Sequence, residues 1–331
     1  MNRKVYIDVI KIIAIICVIM CHIPILWNID MMDEGLPLWW YIVNSLGILG
    51  VPLFMMSTGA LILNKELNTR AGILRFYSKN TLTIYVTGTV WCVLYYITKT
   101  EHISFSDIIK TVCLINKPEV HLWYIRMVII YYLAMPVIVC LHKNHIRLFI
   151  VLTAIIAIVT FGWNLFLILF EHTPAPTTSG LSLSCYIVYM AVGYHCAVMH
   201  GNVIRGKILM ALAGAVSMTI LVVLRYNNWF RFMWYDNPFV MVAAICIFSS
   251  VKELFKDAVR NDLLADMSNM IFGVYLCHVM FMYPMMEYVQ TNINPSLPAF
   301  LVVELSLLVI SFSVVKVSGL FPSLSKLVFR Y

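Results

Sequence analysis

The feature that most restricts the fold is a series of ten apolar runs, which together fill more than half of the 331 residues. Hydrophobic residues make up 62% of the chain and charged residues only 12%, a balance that no soluble domain of this size could keep in water. A helix needs about twenty apolar residues to cross a bilayer core. The sequence therefore predicts an all-α, polytopic transmembrane helix bundle. The ten predicted spans are residues 5–27, 39–63, 81–99, 122–141, 146–170, 183–199, 207–225, 237–251, 268–286 and 298–320.

The distribution of Lys and Arg predicts how the bundle is oriented. With the N-terminus in the cytoplasm, fifteen of the 23 basic residues fall in inner segments, five in outer segments and three within spans. Short cytoplasmic loops carry an excess of Lys and Arg, so this threefold bias predicts that both termini are cytoplasmic. It also explains the net charge of +7 without a nucleic-acid partner. The lipid bilayer is the expected surrounding.

The remaining composition predicts a single membrane domain over residues 1–331. No hydrophilic stretch is long enough to form a separate soluble domain. The nine cysteines are scattered singly and show no CxxC spacing. We therefore expect neither a disulfide framework nor a zinc or other metal site.

The first apolar run carries three ionisable side chains on one side of a helix. At 100° per residue, Lys11 and His22 lie within about 20° of each other, and Asp8 lies about 40° from His22. Lys11 and His22 are roughly 16 Å apart along the axis, more than half the thickness of a bilayer core. Such groups are costly in a membrane and usually face a bundle interior, a partner or water. The stripe fits an Asp8–Lys11 ion pair plus a core histidine, and it fits a polar reaction site equally well.

The second span and the basic stretch after it could meet a ligand. Ser57 belongs to a small, polar patch in the run GVPLFMMSTGALI, which lets another helix or a ligand approach closely. Plain helix packing explains this patch at least as well. The stretch 70–79 contains Arg70, Arg75 and Lys79. Most such clusters only fix topology, but some also bind a phosphorylated ligand because cations at a membrane face attract anions.

Two later spans contribute further candidate side chains. His121 and Trp123 enter the membrane from the predicted outer side, and Arg126, about one turn deeper, needs an acceptor for its buried charge. Tyr275 and His278 are three residues apart, so they are neighbours on one helix face near mid-membrane. A histidine paired with a tyrosine at this depth is a better site candidate than a lone histidine.

Taken in order, these segments resemble the acyltransferase-3 family of integral membrane proteins, which modify surface and extracellular glycans. That family begins with an acid, a basic residue, ten further residues and a histidine, and this pattern matches Asp8, Lys11 and His22. Three later blocks also match in order along nearly the whole chain. They are the GVPLFF-like block ending in SG at 50–59, the HLWF block at 121–124 and the YLxH block at 275–278.

The chain departs from the family pattern at three places. Lys11 stands where the family usually has arginine, and lysine cannot clamp an oxyanion with two parallel hydrogen bonds. Thr58 is inserted between the Ser and Gly of the second block. The arginine-rich inner loop of the family is matched only loosely, by Arg70, Arg75 and Lys79.

The resemblance implies a multi-pass O-acyltransferase of the bacterial inner membrane, similar to the stand-alone acetylases of O-antigen and enterobacterial common antigen sugars. The implied donor is a cytoplasmic coenzyme A thioester, typically acetyl-CoA, and the implied acceptor is a hydroxyl of a surface glycan or lipid-linked sugar. His22, with Lys11 and Asp8 beside it, would act as general base or carry the acyl group as an acyl-imidazole. Oxyanion donors or acceptor contacts are expected among Ser57, His121, Trp123, Arg126, Tyr275 and His278. The phosphates of coenzyme A are expected on Arg70, Arg75 and Lys79.

A membrane transporter or flippase for a lipid-linked glycan is the alternative. It too would need a polar tunnel with an acid, a base and histidines. The halves of the chain show no detectable inverted repeat, which many transporters have. A membrane sensor or scaffold would explain the spans but not the stripe of ionisable groups. The outer stretch 225–238 interleaves aromatic residues with two arginines, as an interface belt or a sugar-stacking lip would.

Overall fold

A computed structural model describes residues 3–29, 35–100, 102–116, 118–170, 185–199, 204–227 and 234–331. The predicted outer loop 171–180 lies outside these residues, as do parts of the stretches 28–38 and 225–238. Within the described ranges the chain is helical and contains no strand. The helices are α1 Val5–Met20, α2 Leu38–Gly47, α3 Gly50–Ile62, α4 Arg70–Phe76, α5 Leu82–Lys99, α6 Phe105–Val112, α7 Trp123–Asn144, α8 Ile146–Ala157, α9 Trp163–Phe170, α10 Cys185–Val198, α11 Ile204–Tyr226, α12 Pro238–Phe255, α13 Asp262–Asn292, α14 Leu297–Ser318 and α15 Pro322–Val328.

Eight helical segments in the described ranges are long and apolar enough to cross a membrane. They confirm the predicted all-α, multi-pass membrane bundle. The first and sixth predicted spans coincide with shorter helices: α1 has 16 residues and α10 has 14. The eighth predicted span is α12, with 18 residues, whose start is capped by the side chain of Asn237.

The first helix lies at the centre of the bundle. Helix α1 packs against α2, α3, α12, α13 and α14. In the 18-residue window of each segment that could cross the membrane, 67% of the residues are buried in the α2–α3 segment and 61% in α13, against 17% in α11. The polar residues of α1, α3 and α13 therefore converge in the interior, while α11 leaves most of its apolar surface uncovered.

Helices α3 and α10 pack closely through two glycines. A Cβ atom at Gly59 would overlap the backbone of Met190, and one at Gly193 would overlap the backbone of Met56. Small residues allow membrane helices this close an approach. Helix packing therefore explains why glycine occupies position 59.

Three local details differ from the sequence-based expectation. Helix α1 ends at Met20, and His22 lies in the turn before a 3₁₀ segment, Ile23–Trp27. The second span is broken between α2 and α3. The stretch 70–79 is helical rather than a loop: the Thr69 side chain caps the start of α4, which continues through a π-helical turn, Tyr77–Thr81, into α5. This cap and the buried Phe76 anchor the stretch as part of a long helical segment.

Candidate active site

Three histidines from distant parts of the chain meet in the interior. His22 follows α1, His121 lies on the 3₁₀ segment Val120–Leu122, and His278 lies within α13. The ring centroids of His22 and His278 are 5.2 Å apart, as are those of His121 and His278, and those of His22 and His121 are 6.1 Å apart. His121 and His278 are buried, and His22 is partly buried. We call these three residues the histidine cluster.

Backbone carbonyls fix the tautomers of two members of the cluster. His22 Nδ1 lies 2.6 Å from the carbonyl oxygen of Val18, and His278 Nδ1 lies 2.7 Å from that of Tyr275. Because a carbonyl oxygen can only accept, each Nδ1 carries the hydrogen. In the neutral ring Nε2 is then left with a free lone pair, which is the state that a general base requires. Nε2 of His278 is buried and has no hydrogen-bond partner among the described residues.

Two tyrosines hold the histidine cluster in place. The Tyr275 hydroxyl donates a hydrogen bond to the backbone carbonyl of His121. The Tyr95 hydroxyl donates to the carbonyl of Leu276 over 2.9 Å and accepts from the amide of Met280 over 3.0 Å. Tyr95 thus inserts into the backbone hydrogen-bond ladder of α13 beside His278. These bonds tie α5 and the 3₁₀ segment to α13, and they leave Tyr275 committed to a backbone group rather than free to bind an oxyanion.

A cavity of about 350 Å³ extends from the predicted cytoplasmic end of the bundle to Tyr275, whose ring adjoins the histidine cluster, and none of the three histidines lines it. Its walls come from α1, α3, α5, α7 and α13 and from the C-terminal residue Arg330. Lys11 and Arg330 mark one end. At the other, Tyr275 has its ring centroid 5.5 Å from that of His121 and 6.1 Å from that of His278. From Ser268 to Tyr275, the cavity follows α13 for roughly 10 Å.

Two hydroxyl groups in the cavity wall have no partner within the described part of the chain. Ser57 Oγ and Ser268 Oγ are both buried without a hydrogen bond. A buried polar atom of this kind usually finds a protein, water or ligand partner. Of the residues expected to stabilise an oxyanion, Ser57 therefore has an uncommitted donor facing the same cavity as Tyr275.

The ion pair between Asp8 and Lys11, one of the two interpretations of the stripe, does not form. Arg3 takes both carboxylate oxygens of Asp8, with Nε–Oδ2 and Nη2–Oδ1 distances of 2.7 and 2.8 Å, and it also contacts the carbonyl of Ala265 and the side chain of Asn269. Asp8 is buried, so this pair ties the start of α1 to α13. Lys11 lines the cavity and makes no salt bridge to any residue in the described ranges.

Trp123 and Arg126 do not line the cavity. The Trp123 ring lies 5.7 Å from that of Tyr235 and 6.1 Å from that of Tyr186, each inclined by 31°. These three rings, which we call the aromatic platform, lie on the side of α7 towards α10 and the start of α12. Arg126 donates to the carbonyl of Ile115 over 3.0 Å. This carbonyl, in the segment between α6 and α7, is the hydrogen-bond acceptor that we expected for the charge of Arg126.

The predicted donor-binding residues lie on the surface. Arg70, Arg75 and Lys79 are exposed on the helical segment formed by α4 and the π turn, and none of them lines the cavity. The backbone carbonyl of Lys79 instead accepts a hydrogen bond from Arg330 over 3.3 Å. In the sequence, Arg330 is one of the basic residues that indicate a cytoplasmic C-terminus. Nothing near it in the chain indicates that the C-terminus returns to the cavity.

Sequence reasoning also missed an acidic group beside His121. Glu119 is buried, forms an ion pair with Lys99, and accepts from the Tyr283 hydroxyl over 2.6 Å. Lys99 Nζ also donates to the Tyr283 hydroxyl over 2.6 Å. This network joins α5 and α13 to the 3₁₀ segment that carries His121. The available signal was the acid two residues before the HLW sequence.

The arrangement combines an imidazole lone pair, uncommitted hydroxyl donors and a cavity with cations at one end. In the described part of the chain, no group of three His, Cys, Asp or Glu side chains is placed to hold a metal ion. A general base near the middle of the membrane could deprotonate a hydroxyl, and the neighbouring hydroxyls could stabilise an oxyanion.

Comparisons with known proteins identify the family. A family model described as "Acyltransferase domain", acyltransferase 3, matches residues 4–316. The comparison with curated proteins gave no match, and neither did the comparison with solved structures. The matched region contains α1 to α13, nearly all of α14, and with them all three histidines of the cluster. The chain therefore belongs to the acyltransferase-3 family of membrane acyltransferases.

Proposed function

We propose that this membrane acyltransferase transfers an acetyl group from a cytoplasmic coenzyme A thioester to a sugar hydroxyl of a surface or lipid-linked glycan. The observation that carries the proposal is the cavity that runs from two cations, Lys11 and Arg330, to Tyr275 beside the histidine cluster. A phosphorylated thioester needs cations for its phosphates and a narrow, neutral route for its acyl arm, and the cavity offers both.

His22 is the proposed general base. Its Nε2 takes the proton of the acceptor hydroxyl while the oxygen attacks the thioester carbonyl. The tetrahedral oxyanion accepts hydrogen bonds from donors such as Ser57 Oγ. The carbon–sulfur bond then breaks, and the leaving thiolate takes the proton from the imidazolium. The products are the O-acyl ester and coenzyme A thiol.

The acceptor is proposed to approach from the side of the aromatic platform. Trp123 adjoins Tyr124, with ring centroids 6.0 Å apart, and Tyr124 adjoins Tyr275, at 5.4 Å. Aromatic rings thus continue from the platform to the histidine cluster. Flat apolar rings beside polar groups suit the mixed surface of a sugar, which supports the interpretation of the neighbouring stretch 225–238 as a sugar-stacking lip.

The test uses purified protein in proteoliposomes with [¹⁴C]acetyl-CoA and a lipid-linked glycan extract. We expect label in the glycan with equimolar release of coenzyme A thiol. The substitution His22→Ala should lower transfer on the order of 10²–10⁴-fold, as loss of a general base does, while the protein still reaches the membrane in normal amount.

The same assay separates the alternatives. A burst of thiol release without acceptor would indicate an acyl-imidazole on His22 instead of direct transfer. Glycan that crosses the bilayer without becoming labelled would support the transporter alternative. An active, normally expressed His22→Ala protein would refute the mechanism.

A further inference from the structure

The charged end of the cavity is built partly by a segment that lies outside the family match. Arg330 lines the cavity together with Lys11, yet the matched residues end at 316. The segment from α15 onward packs against α5 and, through Phe329, lies next to Gly273 of α13. Its contribution to the cavity thus lies outside the matched residues.

Several contacts fix the position of this segment. Thr87 Oγ1 and Trp91 Nε1 on α5 donate to the carbonyls of Leu327 and Val328 over 2.9 and 2.6 Å. Phe329 is buried against the Trp91 ring, with centroids 5.6 Å apart. The next residue, Arg330, has a left-handed backbone with φ of 58°. A non-glycine residue keeps such a conformation only where its surroundings enforce it.

Lys11 and Arg330 line this end of the cavity, and the acid nearest to Lys11 in its helix, Asp8, is paired with Arg3. Lys11, Lys65 and Arg330 make no salt bridge to any residue that the structure describes. Arg330 donates only to neutral acceptors, the carbonyl of Lys79 and Oδ1 of Asn80. Burial and then the nearby guanidinium of Arg330 lower the pKa of Lys65. Two cations that line one cavity and form no ion pair there, with Asp8 already paired to Arg3, favour the binding of an anion.

We propose that Arg330, together with Lys11, binds the phosphate groups of the thioester donor and so directs its acyl arm along the cavity. The inference rests on the proposed function and names the residues that recognise the donor. A planar guanidinium binds phosphate through two parallel hydrogen bonds, and an ammonium adds a compact charge beside it. Arg330 is therefore a donor-binding residue, and the C-terminal segment is part of the site.

The experiment measures binding of coenzyme A to the full-length purified protein by isothermal titration calorimetry. We expect Arg330→Gln to weaken coenzyme A binding about tenfold or more. Arg330→Lys should weaken it less, because lysine keeps the charge but cannot form two parallel hydrogen bonds to a phosphate. Lys326→Gln is the matched control: it removes the same charge from an exposed position on α15 that does not line the cavity. The affinity of the Lys326→Gln variant for coenzyme A should equal that of the unmodified protein.

Pantetheine, which has no phosphate, distinguishes charge recognition from cavity shape. Its affinity should be the same in all four proteins. Equal coenzyme A affinity in Arg330→Gln and the unmodified protein would overturn the inference and leave the proposed function standing. An equal loss of pantetheine and coenzyme A binding would also overturn it. If the unmodified protein bound no coenzyme A, the result would refute both this inference and the proposed function. Should Arg330→Gln fail to fold, Arg330→Lys decides, and unchanged coenzyme A affinity in that variant refutes the inference.

Discussion

Asp8 offers the sharpest separation between a structural and a catalytic role. Arg3 binds both of its carboxylate oxygens at 2.7 and 2.8 Å, and the side chain of Asp8 is 6% exposed against 34% for Arg3. Breaking a fully buried pair costs about 3–5 kcal/mol, because the remaining charge stays unpaired. Arg3 is a third exposed and can regain water, so the loss is closer to that of hydrogen bonds to a charged group, about 2 kcal/mol.

The variants are Asp8→Asn, Arg3→Gln and the double substitution. We expect each single change to lower the free energy of unfolding, and the double change to cost less than the sum by at least about 1 kcal/mol, as contacting residues do. Thermal or denaturant unfolding of the purified protein measures the stability. Transfer per folded molecule should stay near that of the unmodified protein. A stable Asp8→Asn protein without turnover would refute this reasoning and place Asp8 in the chemistry.

Three further predictions concern other residues. Lys11→Arg should retain transfer and coenzyme A binding within a few-fold in the labelled-donor assay, because Lys11 lines the cavity, makes no salt bridge to Asp8 and acts as a cation. Loss of transfer would mean that the side chain at position 11 must be compact or neutral. Gly59→Ala should destabilise the fold by about 1–3 kcal/mol because its methyl group would overlap the backbone of Met190, whereas Gly206→Ala, where nothing lies within 4 Å, should be neutral or slightly stabilising. Arg126→Leu should lower accumulation in the membrane, measured by quantitative blotting, because it leaves the carbonyl of Ile115 without its donor; normal accumulation together with normal transfer would mean that this bond is dispensable.

The helical architecture followed from the apolar runs because a membrane permits few alternatives to the helix. Each predicted span coincides with a helix, including the eighth and shortest one, 237–251, which corresponds to α12. The boundaries were less certain because they depend on caps and packing. The end of α1 before His22 and the Thr69 cap of α4 are examples of local geometry that hydropathy does not encode.

The candidate site could be predicted only in part. His22, His121 and His278 were each found from local patterns, but their meeting depends on packing between segments that are 99 to 256 residues apart in the chain. Helical spacing placed Lys11 on the polar side correctly, yet it also favoured Lys11 as the partner of Asp8. The actual partner, Arg3, precedes the helix, where helical spacing does not apply. Arg330 was beyond prediction because its position is set by the docking of the C-terminal segment.

The uneven distribution of charge along the cavity has an electrical consequence. Among the described residues that line it, only Lys11 and Arg330 are charged, and both lie at the end away from the histidine cluster. With the donor bound as proposed, its phosphates stay at that end and only a neutral acyl group moves on towards the outer side. Carrying one elementary charge across the membrane would involve about 2.3 kcal/mol per 100 mV. Because the acyl group that moves along the cavity is neutral, its transfer requires no electrical work against the membrane potential. Turnover in proteoliposomes should therefore be independent of an imposed membrane voltage.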